Sequence, residues 1–159
     1  MDHCYQCLHP DTLVWMNDGT KKPLKNIKIG DVVLTFHPKT LEITPSPVIN
    51  QFVRPPLDNE FSYKIKLANG SEILATAEHK FMSINGWEKV KNFTINKNVA
   101  LGIINAKKKI TFSRVVQITP ITMSLIADIT VESENHSFIA EWVDVANNDA
   151  NNNNHNHNN

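Results

Sequence analysis

The stretch Cys7-Leu8-His9-Pro10-Asp11-Thr12-Leu13-Val14 carries the first of four short motifs that together decide the fold and the chemistry. The others follow at residues 76–79 (TAEH), 128–131 (DITV) and 136–140 (HSFIA). In this order they offer a thiol, a proton donor and a carboxylate, which are the groups needed to attack and rearrange a peptide bond. Their combination predicts a chain that reacts with its own backbone.

The composition is that of one small globular domain. The chain has 159 residues, of which 41% are hydrophobic and 20% charged, so it can bury a core. Basic and acidic residues balance at 16 each, which gives no electrostatic footprint for nucleic acid. No apolar stretch approaches the roughly 20 residues that span a bilayer. We expect a monomer with no cofactor, no nucleic-acid partner and no membrane partner.

Two cysteines, Cys4 and Cys7, are too few for a disulfide framework. The first residues show neither a basic region nor an apolar segment of the kind found in signal peptides. We therefore expect reduced thiols and an intracellular, reducing compartment.

The body of the chain reads as β-structure. Asp18-Gly19, Asn69-Gly70 and Asn85-Gly86 are strong hairpin signals, and prolines 38, 45, 47, 55 and 56 predict loops or strand edges. Only residues 24–27 and 90–93 could each form a short helical turn. The runs rich in Val, Ile, Phe and Thr predict strands over residues 13–16, 32–36, 48–53, 63–67, 73–76, 99–104, 110–118 and 125–131.

The sequence also repeats itself at an offset of 66 or 67 residues. Leu24-Lys25-Asn26-Ile27 corresponds to Val90-Lys91-Asn92-Phe93, and Pro47-Val48-Ile49-Asn50 corresponds to Arg114-Val115-Val116-Gln117. A fixed offset over several short matches indicates a duplicated unit. Two β subunits related by a pseudo-two-fold axis are the expected arrangement.

The four motifs resemble the splicing blocks of the Hint family, which comprises inteins, bacterial intein-like domains and the autoprocessing part of hedgehog proteins. The resemblance covers residues 7–147 and implies an all-β fold, a compact horseshoe of two pseudo-two-fold-related subdomains. It leaves residues 1–6 as an N-terminal flank and residues 148–159 as a disordered tail rich in Asn and His. About fifty residues separate His79 from Asp128, too few for an inserted endonuclease domain, so the resemblance is to a minimal splicing domain.

The resemblance implies a role for each residue of the first step. Cys7 would attack the carbonyl carbon of Gln6 and convert the peptide bond into a thioester. His79 would protonate the departing Cys7 nitrogen, and Thr76 would orient His79 or the strained peptide. Asp128 lies between apolar residues, where a carboxylate is costly to bury without a partner, and would accept or relay the thiol proton.

The C-terminal motif departs from the family's pattern. His136 would assist cleavage at Asn147, whose side-chain amide attacks its own carbonyl. Ala146 stands where a penultimate histidine is usual, and Asn148 stands where a Cys, Ser or Thr receives the acyl chain. The sequence therefore predicts single-turnover self-cleavage with an impaired final step, in which the flanking polypeptide is the substrate and a thiol, an amine or water accepts the acyl group.

Two alternatives stay open at this stage. His3, Cys4, Cys7 and His9 place four possible zinc ligands within seven residues, although a second ligand pair at zinc-finger spacing is missing. A lone Thr, His or Asp in a β protein is usually structural, so an inactive β interaction module is the other alternative.

Overall fold

The computed structural model describes residues 7–37, 40, 42–93, 98–105, 107, 109–133, 137–141 and 143–146, the last four for their backbone. In this part of the chain β-strands predominate and pair in antiparallel fashion, which confirms the predicted all-β fold class. Its strands are β1 (Leu13–Trp15), β2 (Lys21–Pro23), β3 (Val32–Phe36), β4 (Ile43–Arg54), β5 (Ser62–Leu67), β6 (Glu72–Thr76), β7 (Lys80–Ser83), β8 (Gly86–Lys89), β9 (Ala100–Ile104), β10 (Ile110–Ile121), β11 (Ile126–Val131), β12 (Ser137–Ala140) and β13 (Val143–Ala146).

The three predicted hairpin turns join adjacent strands. Gly19 lies between β1 and β2, Gly70 between β5 and β6, and Gly86 begins β8 after the turn from β7. Their φ angles of 89°, 94° and 106° lie in the left-handed region, which glycine adopts without the steric cost that a Cβ imposes. The two predicted helical turns also form, as a 3-10 turn at Leu24–Asn26 and as α1 at Val90–Phe93.

The sequence repeat corresponds to a structural repeat. The first unit runs β1, β2, the 3-10 turn, β3 and β4, and the second runs β7, β8, α1, β9 and β10. Each long strand begins 67 residues from its counterpart, β4 at Ile43 and β10 at Ile110. The duplication inferred from short matches therefore extends over five successive elements.

The two units exchange strands with each other. β4 pairs with β3 of its own unit and with β11, which follows the second unit, whereas β10 pairs with β9 and with β5, which follows the first. Both exchanged pairings contain a register shift, between Thr130 and Val131 in one and between Val115 and Gln117 in the other. This reciprocal pairing is what a pseudo-two-fold arrangement requires.

Two of the predicted loop or strand-edge prolines, Pro45 and Pro47, lie in the segment of β4 that pairs with β3, before the ladder with β11 begins at Val48. Both belong to β4 and pair with β3, opposite Leu34 and Val32. Proline cannot donate a ladder hydrogen bond, but the backbone of Pro47 faces away from β3, because its carbonyl accepts from Glu132 N at 2.9 Å. The ladder with β3 therefore loses no donor at this position.

The main core lies between the two units. It contains fully buried side chains from both, such as Leu24 of the 3-10 turn and Phe81 of β7, together with Ile65 of β5 and Phe138 of β12. Burying such side chains contributes about 1.5–3 kcal/mol each and fixes the strands that carry the motifs. Within the described ranges, no helix is both long and apolar enough to cross a bilayer.

Candidate functional site

Residues 7–9 join the free edges of two sheets. β6 ends the larger sheet and β11 begins the smaller one. Leu8 bridges both strands, opposite Ala75 of β6 and Ala127 of β11. Its amide donates to Ala127 O at 2.7 Å and its carbonyl accepts from Ala127 N at 2.8 Å. The first motif is therefore held as a short strand between the second and the third.

This register places three predicted site residues in one row. Because both bridges at Leu8 are antiparallel, Cys7 lies opposite Thr76 on one side and opposite Asp128 on the other. Directly opposed residues of antiparallel strands project to the same face, with Cβ atoms about 4.5–5.5 Å apart. All three side chains are buried, with exposures of 0%, 3% and 0% for Cys7, Thr76 and Asp128.

Thr76 contacts the nitrogen of the predicted scissile bond. The Cys7 amide donates to Thr76 Oγ1 at 3.1 Å, and the Thr76 amide donates to Cys7 O at 2.9 Å. The motif predicted that Thr76 would orient His79 or the peptide. The structure places its hydroxyl at the Cys7 amide, the nitrogen side of the predicted scissile bond.

His79 follows Thr76 in a tight turn. Its amide donates to Thr76 O at 3.1 Å, and its imidazole is fully buried against the ring of Phe81, with 5.1 Å between the ring centroids. The His79 imidazole is therefore held inside the fold, three residues along the chain from Thr76.

Asp128 and Thr130 share one face of β11, since alternate strand residues point to the same side. Asp128 Oδ1 accepts from Ile129 N at 2.8 Å. Thr130 is 1% exposed, and its hydroxyl has no hydrogen-bond partner within the part of the chain that the structure describes. Sequence reasoning assigned no role to Thr130, although its position in the motif at residues 128–131, two residues after Asp128, was the signal that could have singled it out.

The thiol of Cys7 is not reduced, contrary to the expectation of reduced thiols. Cys7 is disulfide-bonded, and Cys4, the other cysteine of the chain, lies outside the described residues. Two cysteines are too few for a framework but sufficient for one bond. Around Cys7 lies a small apolar cluster with Met123 and Ile126, separate from the main core.

The C-terminal motif is described in part. β12 and β13 form an antiparallel hairpin whose last pair is Ser137–Ala146. His136 and Asn147 are the next residues beyond this pair, and both lie outside the described residues, as do Gln6 and Asn148. The structure therefore does not test the roles predicted for these four residues.

The alternative of a zinc site finds no support in Cys7 and His9, the two candidate ligands that the structure describes. Cys7 is engaged in a disulfide, and His9 Nδ1 accepts a hydrogen bond from Asp11 N at 3.0 Å. His3 and Cys4 lie outside the described residues. Across the described ranges, no group of three or more His, Cys, Asp or Glu side chains is placed to hold a metal ion.

Glu78, the residue before His79, is a part of the site that sequence reasoning did not single out. Its carboxylate accepts from Lys89 Nζ at 2.9 Å and from Lys91 Nζ at 3.0 Å. Partial burial alone would raise the pKa of Glu78, but the hydrogen bonds and charges of the two lysines outweigh it and hold the pKa below its ordinary value.

Comparison with known proteins agrees with this geometry. The Hint module family model matches residues 2–138. The RNA polymerase III subunit rpc2 of Dictyostelium discoideum is 31% identical over 109 residues, which are 67% of this chain and 7% of that protein.

Solved inteins share the fold. A DnaB intein from Synechocystis sp. PCC 6803 superposes with a TM-score of 0.77 at 23% identity, covering 89% of this chain and 98% of that one. The gp41-1 intein gives a TM-score of 0.72 at 27% identity, covering 89% and 98%. The duplicated β fold, the motif order and the family match agree, and the chain belongs to the Hint family as a minimal, intein-like domain.

Proposed function

We propose that this chain processes itself by an N-to-S acyl shift at the Gln6–Cys7 bond, the first step of intein-mediated protein splicing. The observation that carries the proposal is the row Thr76–Cys7–Asp128, in which Thr76 Oγ1 already accepts from the Cys7 amide. This row combines a nucleophile, a group that holds the scissile nitrogen and a buried carboxylate on one face. Such a combination is expected of a catalytic site and is not needed for packing alone.

The step replaces the peptide C–N bond between Gln6 and Cys7 by a C–S bond. The Cys7 thiolate attacks the carbonyl carbon of Gln6, the C–S bond forms, and the C–N bond to Cys7 breaks. The nitrogen leaves as an amine and takes one proton, and the acyl group is held as a thioester. An exogenous thiol, an amine or water then takes the acyl group and releases residues 1–6.

His79 and Asp128 supply the proton movements. The apolar cluster around Cys7 disfavours a thiolate, so a proton acceptor is needed nearby, and Asp128 lies directly opposite Cys7. His79 protonates the departing Cys7 nitrogen, which an amide requires because its unprotonated nitrogen is a poor leaving group. Thr76 holds that nitrogen within the site until the bond breaks.

The disulfide at Cys7 makes a first prediction. A sulfur bonded to another sulfur cannot attack a carbonyl, so the chain should stay intact without reductant. With excess dithiol, which reduces the disulfide and then accepts the acyl group, we expect release of residues 1–6, followed by intact mass. A phosphine, which reduces the disulfide without supplying a thiol, should give much slower release because only water is left as acceptor. An unchanged mass after days with the dithiol would support the inactive-module alternative.

The C-terminal step makes a second prediction. Ala146 has no proton donor, so succinimide formation by Asn147 should be slow. The change Ala146→His should speed release of residues 148–159 by roughly 10²–10⁴-fold, the usual gain from a placed general acid. Asn147→Ala should block that release with either residue at position 146, and the flanks should not join because Asn148 has no nucleophile. An unchanged rate in Ala146→His, with Cys7 chemistry active, would show that Asn147 does not end a splicing unit.

A further inference from the structure

The turn that carries His79 is anchored by backbone hydrogen bonds on two sides. Toward β5, Ala77 N donates to Phe61 O at 2.9 Å. Toward β8 and α1, Val90 N donates to His79 O and Lys91 N donates to Ala77 O, both at 2.9 Å. The position of His79 is therefore coupled to the position of α1.

Glu78 bridges the same two parts with its side chain. Its carboxylate oxygens each accept from one lysine, Lys89 at the end of β8 and Lys91 in α1. The Glu78 carboxylate therefore links the turn to β8 and to α1 through two side-chain ion pairs, in addition to the backbone hydrogen bonds.

The charge of Glu78 is also locally important. Lys80 lies opposite Lys89 in the β7–β8 ladder, and burial together with the charge of Lys89 lowers the pKa of Lys80. Directly opposed like charges destabilise a strand pair, and the negative charge of Glu78 counteracts the effect of Lys89 on Lys80. Without Glu78, the repulsion between Lys80 and Lys89 would lose this compensation.

We propose that Glu78, through its bridge to Lys89 and Lys91, is a positioning residue that sets where the His79 imidazole lies relative to the Cys7 nitrogen. The inference rests on the proposed function of His79. Half-exposed ion pairs contribute little to global stability, so the bridge should act on the rate of the acyl shift more than on unfolding. A small displacement of a catalytic group has a large effect, since a misplacement of about 1 Å can cost about 10²-fold.

The test compares Glu78→Gln with Glu72→Gln, which removes the same charge from the exposed start of β6. We expect Glu78→Gln to slow dithiol-induced release of residues 1–6 by roughly 10-fold, within the range that misplacement allows, with an unchanged midpoint of thermal unfolding. Glu72→Gln should release at the wild-type rate. High salt should slow release from the wild type toward the rate of Glu78→Gln, because at about 1 M salt charge–charge interactions are screened over distances beyond about 3 Å.

Two further measurements distinguish a role of Glu78 in positioning His79 from a role in stabilising the fold. Lys91→Arg keeps a cation and should preserve the rate of release, whereas Lys91→Gln should slow it in part. In the double variant, Lys91→Gln should add little to the effect of Glu78→Gln, because both substitutions remove the same bridge. In a histidine-labelled protein, the imidazole Cε1–Hε1 signal of His79 should shift in Glu78→Gln and not in Glu72→Gln.

A wild-type rate and an unshifted His79 signal in Glu78→Gln would overturn the inference. A loss of rate that Lys91→Arg shares, together with a lowered unfolding midpoint in Glu78→Gln, would also overturn it, since Glu78 would then be supporting the fold. If the wild type shows no release that depends on Cys7, the proposed function fails, and the His79 signal alone decides whether Glu78 positions that ring.

Discussion

Replacing Cys7 by alanine is expected to abolish release of residues 1–6 under every reducing condition. The alanine side chain has no nucleophile, and the Thr76 hydroxyl is already engaged with the nitrogen of residue 7. Removing a covalent nucleophile leaves only background hydrolysis, whose rate should not respond to a thiol. The measurement is the intact mass of each protein after incubation with excess dithiol.

The matched control is Cys4→Ala. It removes the only other cysteine and leaves Cys7 in place. If Cys4 is the disulfide partner, this variant should release residues 1–6 without a prior reduction step, at a rate set by the added thiol alone. Release from Cys7→Ala at the wild-type rate would show that another group cleaves the bond, and the role given to Cys7 would be wrong.

Removing the imidazole of His79 should slow the same release by roughly 10²–10⁴-fold, the range for general acid catalysis. The departing nitrogen would then have to take its proton from solvent, from which the buried site is largely closed. His136→Ala should have a much smaller effect, because its motif position assigns it to the C-terminal step. Rates are measured by quenching samples over time and quantifying the released peptide.

The design must separate catalysis from packing, because the His79 ring packs on Phe81. His79→Ala leaves a cavity there, so His79→Gln, which keeps most of the volume, is the better variant for the comparison. Thermal unfolding should show that both variants are folded at the assay temperature. Equal slowing by His79→Gln and His136→Gln in folded proteins would mean that the two histidines have been assigned the wrong steps.

The alternation of apolar residues and turn signals was sufficient to predict eight of the strands and both helical turns. Five strands, β2, β7, β8, β12 and β13, were not predicted, and each of them has only three or four residues. Two of them also pair with strands that are distant in sequence, β12 with β1 and β13 with β7 and β9. Such tertiary context cannot be read from local propensity.

The duplication could be predicted, but the exchange of strands between the two units could not. A fixed offset shows which residues are equivalent and says nothing about which strands pair. The pairing of β4 with β11 and of β10 with β5 determines that the third motif lies beside the first. The site is therefore a product of the exchange and not of either unit alone.

Motif order was sufficient to bring Cys7, Thr76 and Asp128 to one site, and the geometry then changed the details. Sequence could not show that the Thr76 hydroxyl contacts the Cys7 nitrogen, because that contact depends on the antiparallel bridges of Leu8. Nor could it show that Glu78 is bridged to Lys89 and Lys91, which follow the next hairpin. The disulfide at Cys7 was missed because a count of cysteines does not report their pairing.

The most direct test of the acyl shift is the chemical identity of the new end at Gln6. The protein is reduced with a phosphine and treated with hydroxylamine, and the released peptide is identified by fragmentation mass spectrometry. A thioester at Cys7 predicts a peptide of residues 1–6 that ends in a hydroxamate, formed by the wild type and not by Cys7→Ala. A peptide that ends in a free carboxylate and forms equally fast in Cys7→Ala would contradict the account, since the bond would then be cut by hydrolysis without a thioester.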